Sequence, residues 1–95
     1  MLPIEWRASA LEDLVEIMQY ISARNAAASQ RLFERIQASL EHTSEHPYLY
    51  KQSDRVQGAR EIVVYPNYII LYRVMPHCIE VTNVVHAMRN YPPSH

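Results

Sequence analysis

The chain has one glycine, one cysteine, one lysine, one tryptophan and one phenylalanine in 95 residues, and several of these scarcities remove a class of explanation. A lone cysteine, Cys78, leaves no internal disulfide and no cysteine-based zinc site, in keeping with a reducing compartment. Inside an apolar stretch it reads as a small core residue rather than a nucleophile. A lone lysine, Lys51, and the absence of any basic cluster equip the chain poorly for strong, salt-dependent binding to free nucleic acid. No apolar run approaches the ~18 residues of a membrane span, and MLPIEWR has no basic segment followed by an apolar block. The expectation is a single soluble, cytoplasmic domain over residues 1–95, with no membrane partner. Metal and other cofactors are not expected either: His42, His46, His77, His86 and His95 are scattered, and the one close pair, His42 and His46, falls where a helix is ending.

What is present is enough for one modest core, since 48% of the residues are hydrophobic. The formal net charge of −1 hides an asymmetry. Residues 1–50 carry four arginines and seven acids, giving −3; residues 51–95 carry Lys51, Arg55, Arg60, Arg73 and Arg89 against three acids, giving +2. The C-terminal half is therefore where an anionic partner is expected.

LPIEW, residues 2–6, reads as a short first strand. Ser9 with Glu12 three positions on has the S-x-x-E pattern of a capping box, so a helix is expected to start there, with Leu11, Leu14, Val15, Met18 and Ile21 on its buried stripe. Glu12, Asp13 and Glu16 crowd its first two turns. Asn25 serves as the stop of this helix or the N-cap of the next, which turns Leu32, Phe33, Ile36 and Leu40 inward. HPYLYKQSDRVQG, containing the only glycine, has no periodicity and is a loop. Three strands follow as REIVVY, NYIILYRV and CIEVTNVVHA, with connections short enough for antiparallel hairpins. The fold class is α/β in the α+β sense: β-α-α-β-β-β, an antiparallel sheet with an N-terminal helical hairpin on one face and the other face open.

The stretch REIVVYPNYIILYRV places Arg60 and Arg73 among aliphatic neighbours at strand spacing. A guanidinium there must reach water, an anion or an ion-pair partner. Arg60 beside Glu61 and Arg73 facing the strand of Glu80 fit cross-strand ion pairs.

The ordered set of WRASALEDL, with its W-x-x-x-A-x-x-D-L pattern, REIVVYPNYIILYRV and IEVTNVVHAMR resembles the RelE/ParE superfamily of bacterial type II toxin–antitoxin toxins. It is most similar to the ParE branch, whose members often close the last strand with a valine-rich run, then His-Gly or His-Ala and an arginine, here Val84-Val85-His86-Ala87-Met88-Arg89. The resemblance runs from Ile4 to Arg89. It implies a growth-arresting toxin that inhibits DNA gyrase without catalysis of its own, neutralised by a cognate protein antitoxin. The alternatives it leaves open are a RelE-like ribosome-dependent mRNA endoribonuclease and an inactive antitoxin-binding member.

For the gyrase reading, target binding is expected from the C-terminal segment, with His86, Arg89 and Tyr91, and from the exposed side of the helical hairpin. For the ribonuclease, His86 supplies an acid or base near neutrality, Arg60 and Arg73 hold the phosphate, and Tyr91 or Glu61 completes the set. A histidine closing a strand is, however, more often a hydrogen-bonded structural residue. Antitoxin contacts are expected from Arg60 and Arg73, meeting acidic partner side chains, and from Tyr48, Tyr50 and Tyr68.

Overall fold

A computed structural model describes residues 1–88. Strand β1 (Ile4–Trp6) is followed by helices α1 (Ala8–Ser22) and α2 (Ala26–Glu45), then by strands β2 (Arg60–Val64), β3 (Tyr68–Val74) and β4 (Ile79–His86). The sheet order is β1-β4-β3-β2. The last three strands form the expected antiparallel meander, and β1 joins it in parallel, Ile4 opposite Ile79 and Trp6 opposite Val81. No described helix is long and apolar enough to cross a membrane.

The strand β1 covers only the first three residues of β4. Beyond it, the backbone of β4 would be left with unpaired groups at a partly buried edge, which is costly. The chain leaving β1 satisfies them in turn. Arg7 donates its N–H to the Val81 carbonyl at 3.0 Å, and the Ser9 hydroxyl donates to the Thr82 carbonyl at 2.8 Å. Asp13, one helical turn after Ser9, accepts from the Val84 N–H at 2.9 Å and from the Asn83 side-chain amide at 3.2 Å.

This arrangement corrects two expectations. The capping box does not form: α1 begins at Ala8 behind Arg7, which makes no side-chain cap, because Ser9 faces the strand and not the helix's own N–H groups. The buried stripe is also rotated. With Ser9 and Asp13 turned to β4, Ala10, Leu14, Ile17, Met18 and Ile21 face the core, whereas Leu11 and Val15 are 47% and 53% exposed. At the hairpin, Asn25 is the N-cap of α2, its side chain accepting from the Ala28 N–H at 3.0 Å.

One sheet face packs Ile62, Val64, Ile70 and Tyr72 against Leu32, Ile36 and Leu40 of α2. Buried positions on β4 switch from Ile79 and Val81 to Val84, breaking period two, because the ladder shifts register where Leu71 and Tyr72 face Asn83 and Val81. The opposite face is not open as expected. Ile69 and Leu71 on that side are buried, and residues 51–58 fold back over it, with Ser53 bonded to Glu61 and Gly58 against Arg73.

Asp13→Ala strands the Val84 N–H and is expected to cost about 1–3 kcal/mol in urea denaturation, with Asp13→Asn, which keeps an acceptor, costing less. Ser9→Ala should cost about 1 kcal/mol by the same measurement.

Candidate functional site

In the strand register Arg60 stands opposite Tyr72, and Arg73 stands opposite Glu80. Successive residues Tyr72 and Arg73 point to opposite sides, so the two arginines lie on different faces of the sheet. Arg60 donates through Nη1 to the Tyr50 carbonyl at 2.7 Å and to the Tyr48 carbonyl at 3.4 Å, and its guanidinium lies 5.1 Å from the centre of the Tyr48 ring. Arg73 is half-buried against Gly58, where an added Cβ would come within 3.1 Å of its Nη1. Gly58 has φ +82°, a conformation that suits glycine. The expected ion pairs of these arginines do not form: among the described residues no carboxylate lies within 4.0 Å of either guanidinium. The register places Arg73 beside Glu80, but its guanidinium is turned toward the loop.

Glu61 is the acid that the structure does engage. It is 5% exposed, accepts from the Ser53 hydroxyl at 2.7 Å, and has Lys51 Nζ at 3.7 Å and Arg55 Nε at 3.5 Å. Ser53 Oγ in turn accepts from the N–H groups of Arg55 and Val56 at 3.0 and 3.1 Å. Residues 47–59 are therefore held by neighbouring residues of one strand, Arg60 on one face and Glu61 on the other. Tyr72 adds a third tie, its hydroxyl donating to the Pro47 carbonyl at 2.7 Å. Burial pushes the Tyr72 phenol up to about 12, the Arg60 charge pulling back part of that rise and Tyr50 adding slightly to it.

The tied loop carries two of the expected antitoxin contacts. Tyr48 is 67% exposed and Leu49 beside it is also exposed. Tyr50 is half-buried, edge-on to Tyr72 at 6.4 Å and to His42 at 6.2 Å. Tyr68 is a correction: at 8% exposure it belongs to the core and offers a partner little surface.

His86 pairs with Tyr68 at the other end of β3 from Tyr72, four residues or about 13 Å of strand away from Arg60. Its Nδ1 accepts from the Met88 N–H at 3.1 Å, and its ring stands edge-on to Tyr68 at 5.2 Å. Arg89 and Tyr91 lie outside the described residues. Arg60, Arg73 and His86 are thus not brought together. Nor do the described residues gather three His, Cys, Asp or Glu side chains that could hold a metal. Burial, followed by the Glu5 and Glu80 carboxylates, pushes the Cys78 thiol upward, away from nucleophilic thiolate.

One feature escaped the sequence reading. A groove of about 880 Å³ runs between β1, the first half of α1 and the second half of α2, floored by Leu14, Phe33, Ile36 and Leu40. Leu2 anchors its end by donating its N–H to the Ser44 carbonyl and accepting from the Ser44 hydroxyl. The only sequence signals were Leu11 and Phe33, apolar residues assigned to the core that instead line this groove.

The model of the family described as "ParE toxin of type II toxin-antitoxin system, parDE" matches residues 4–91. The chain is 32% identical over 91 residues to the Caulobacter vibrioides protein named Toxin RelE2, covering 94% of this chain and 99% of that one. Its fold is similar to the chromosomal ParDE system of P. aeruginosa, with TM-score 0.76, 16% identity, and 90% and 96% of the two chains covered. It is also similar to the E. coli DinJ-YafQ toxin-antitoxin complex, with TM-score 0.59, 13% identity, and 90% and 91% covered.

Glu61→Ala removes the anion but leaves Lys51 and Arg55 with access to water, so the expected loss is about 1–2 kcal/mol and not the ~3–5 kcal/mol of a stranded buried charge. Chemical denaturation measures it, and faster proteolysis within residues 47–59 should accompany it. Tyr72 holds its proton more tightly folded than unfolded. Its contribution is therefore complete below pH 10 and falls away as pH rises from 10 to about 12. Unfolding free energy should fall across that range through this group, and Tyr72→Phe should flatten that part of the profile.

Proposed function

The chain belongs to the ParE toxin family of type II toxin–antitoxin systems, and from that premise we propose that it arrests growth by inhibiting DNA gyrase and is neutralised by direct binding of a cognate protein antitoxin. The observation that carries this reading is the dispersal of Arg60, Arg73 and His86. Cleaving RNA through its 2′-hydroxyl requires a proton acceptor and phosphate-holding cations around one phosphate. Here Arg60 is engaged with loop carbonyls, Arg73 is on the other face of the sheet, and His86 is about 13 Å along the strands. Inhibition of a protein target requires a complementary surface and no such convergence. The single lysine supports the same reading, because docking onto ribosomal RNA draws on many phosphate contacts.

The target-binding surface in this reading is the segment from His86 through Arg89 to Tyr91, together with the exposed side of the helical hairpin. In this reading the toxin acts in the cytoplasm. One observation favours a competing reading, ribosome-dependent mRNA cleavage: the name of the 32%-identical relative, Toxin RelE2.

Purified chain incubated with gyrase, ATP and relaxed plasmid should block supercoiling and trap linear DNA, and removal of residues 89–95 should abolish the block. Unimpaired supercoiling by a folded, antitoxin-binding sample would overturn the proposal. Ribosome-dependent mRNA cleavage by that sample would install the RelE-like reading, and inactivity in both assays would leave an antitoxin-binding member without a toxic activity.

A further inference from the structure

Two Glu-His dipeptides, Glu41-His42 and Glu45-His46, stand four residues apart at the end of α2. The end of a helix was expected to separate the two histidines, but the structure keeps them on intact helix. Helix α2 continues to Glu45, and the His46 N–H closes its last turn by donating to the His42 carbonyl at 3.0 Å. Residues at that spacing lie on one side of a helix with Cβ atoms about 5–6 Å apart. The two rings stand beside each other, with centres 5.0 Å apart and planes tilted by 52°. Imidazole nitrogens bind an ion such as Zn²⁺ at ~2.0–2.1 Å, which sets the ring centres of two ligands on one tetrahedral ion about 5 Å apart. The observed spacing is the one that shared coordination requires.

The protein makes no other polar use of these rings. Both histidines are exposed, and among the described residues no side-chain hydrogen bond or ion pair engages either imidazole. His86 differs, since its Nδ1 is occupied by the Met88 N–H. The surroundings favour a cation. A helix ends in carbonyls that carry its partial negative charge. The carboxylates of Glu41 and Glu45 are exposed, and among the described residues no cation lies within 4.0 Å of either.

We propose that His42 and His46 form a two-histidine binding site for a late first-row divalent ion. Imidazole selects Zn²⁺, Ni²⁺ and Cu²⁺ over Mg²⁺ and Ca²⁺, which take oxygen ligands. No third His, Cys, Asp or Glu gathers there among the described residues, so water fills the remaining positions and the site stays open. The effect of the ion falls on the loop that follows. His46 precedes Pro47, whose carbonyl accepts from the Tyr72 hydroxyl, and His42 is edge-on to Tyr50 at 6.2 Å. Coordination across the last turn holds the helix end closed, and with it the entry to the loop that carries Tyr48 and Leu49.

The full chain, without a histidine tag and stripped by a chelator, is titrated with zinc, nickel and magnesium chlorides by isothermal titration calorimetry. Zn²⁺ and Ni²⁺ should each bind in one equivalent and raise the thermal midpoint, as a ligand of the folded state does. Mg²⁺ should do neither. His42→Ala and His46→Ala should each weaken Zn²⁺ binding about tenfold or more, whereas His77→Ala and Cys78→Ser should leave it unchanged. Because both histidines are exposed, the ion-free variants should melt as the parent chain does. Zn²⁺ should slow proteolysis within residues 47–59 of the parent chain and not of the two variants. NMR of the unaltered chain gives a readout that needs no variant: the imidazole signals that move on adding Zn²⁺ should be those of His42 and His46. No saturable Zn²⁺ or Ni²⁺ binding, binding unaltered in both histidine variants, or imidazole shifts centred on other histidines would overturn the proposal.

Discussion

The outer edge of β4 is longer than the strand that covers it, and most of the architecture follows from how that mismatch is met. The strand β1 pairs with three residues and stops, after which a backbone N–H, a serine hydroxyl and an aspartate carboxylate take over the exposed groups of β4. Ser9 and Asp13 are one turn apart, so meeting the strand fixes the rotation of α1 about its axis. That rotation sets Ala10 into the core with no exposure and sends Leu11 outward. The groove is a consequence: an apolar helix face displaced from the core, facing a second helix across a gap.

The loop after α2 is governed by a different constraint, the alternation of side chains along β2. Arg60 and Glu61 are adjacent and oppositely charged, yet they do not pair with each other. Each reaches a different part of the same loop from its own side of the sheet. A surface loop fixed in this way can present Tyr48 and Leu49 to solvent without their collapsing onto the core. The same contacts occupy Nη1 of Arg60 with the carbonyls of Tyr48 and Tyr50.

Local pattern was a good guide to the elements and a poor guide to what their edges touch. The three β-branched runs, the loop around Gly58 and the helix boundary at Asn25 were legible because their causes lie within a few residues. Ser9 was misread because its partner, Thr82, is 73 residues away, and Asp13 reaches Val84 across 71. No window along the chain contains both ends of either bond. The W-x-x-x-A-x-x-D-L pattern did register as a family resemblance, and the structure gives it a physical meaning: Trp6 ends the parallel pairing, Ala10 permits close packing, and Asp13 closes the strand edge. Tyr68 was misplaced for a related reason, since period two cannot say which face the helices cover. Arg60, Arg73 and His86 were each on the strands as read, but whether they converge depends on register and face, which only the paired sheet fixes.

The parallel pairing of β1 with β4 also orders events in time. Ile4 finds Ile79 across 75 positions of chain, so β1 has no strand partner until nearly all of the described sequence has been synthesised. The helical hairpin can form early from local contacts, but one wall of the groove is put in place only with the last strand. Synthesis of β4, closure of the sheet and completion of the groove therefore coincide.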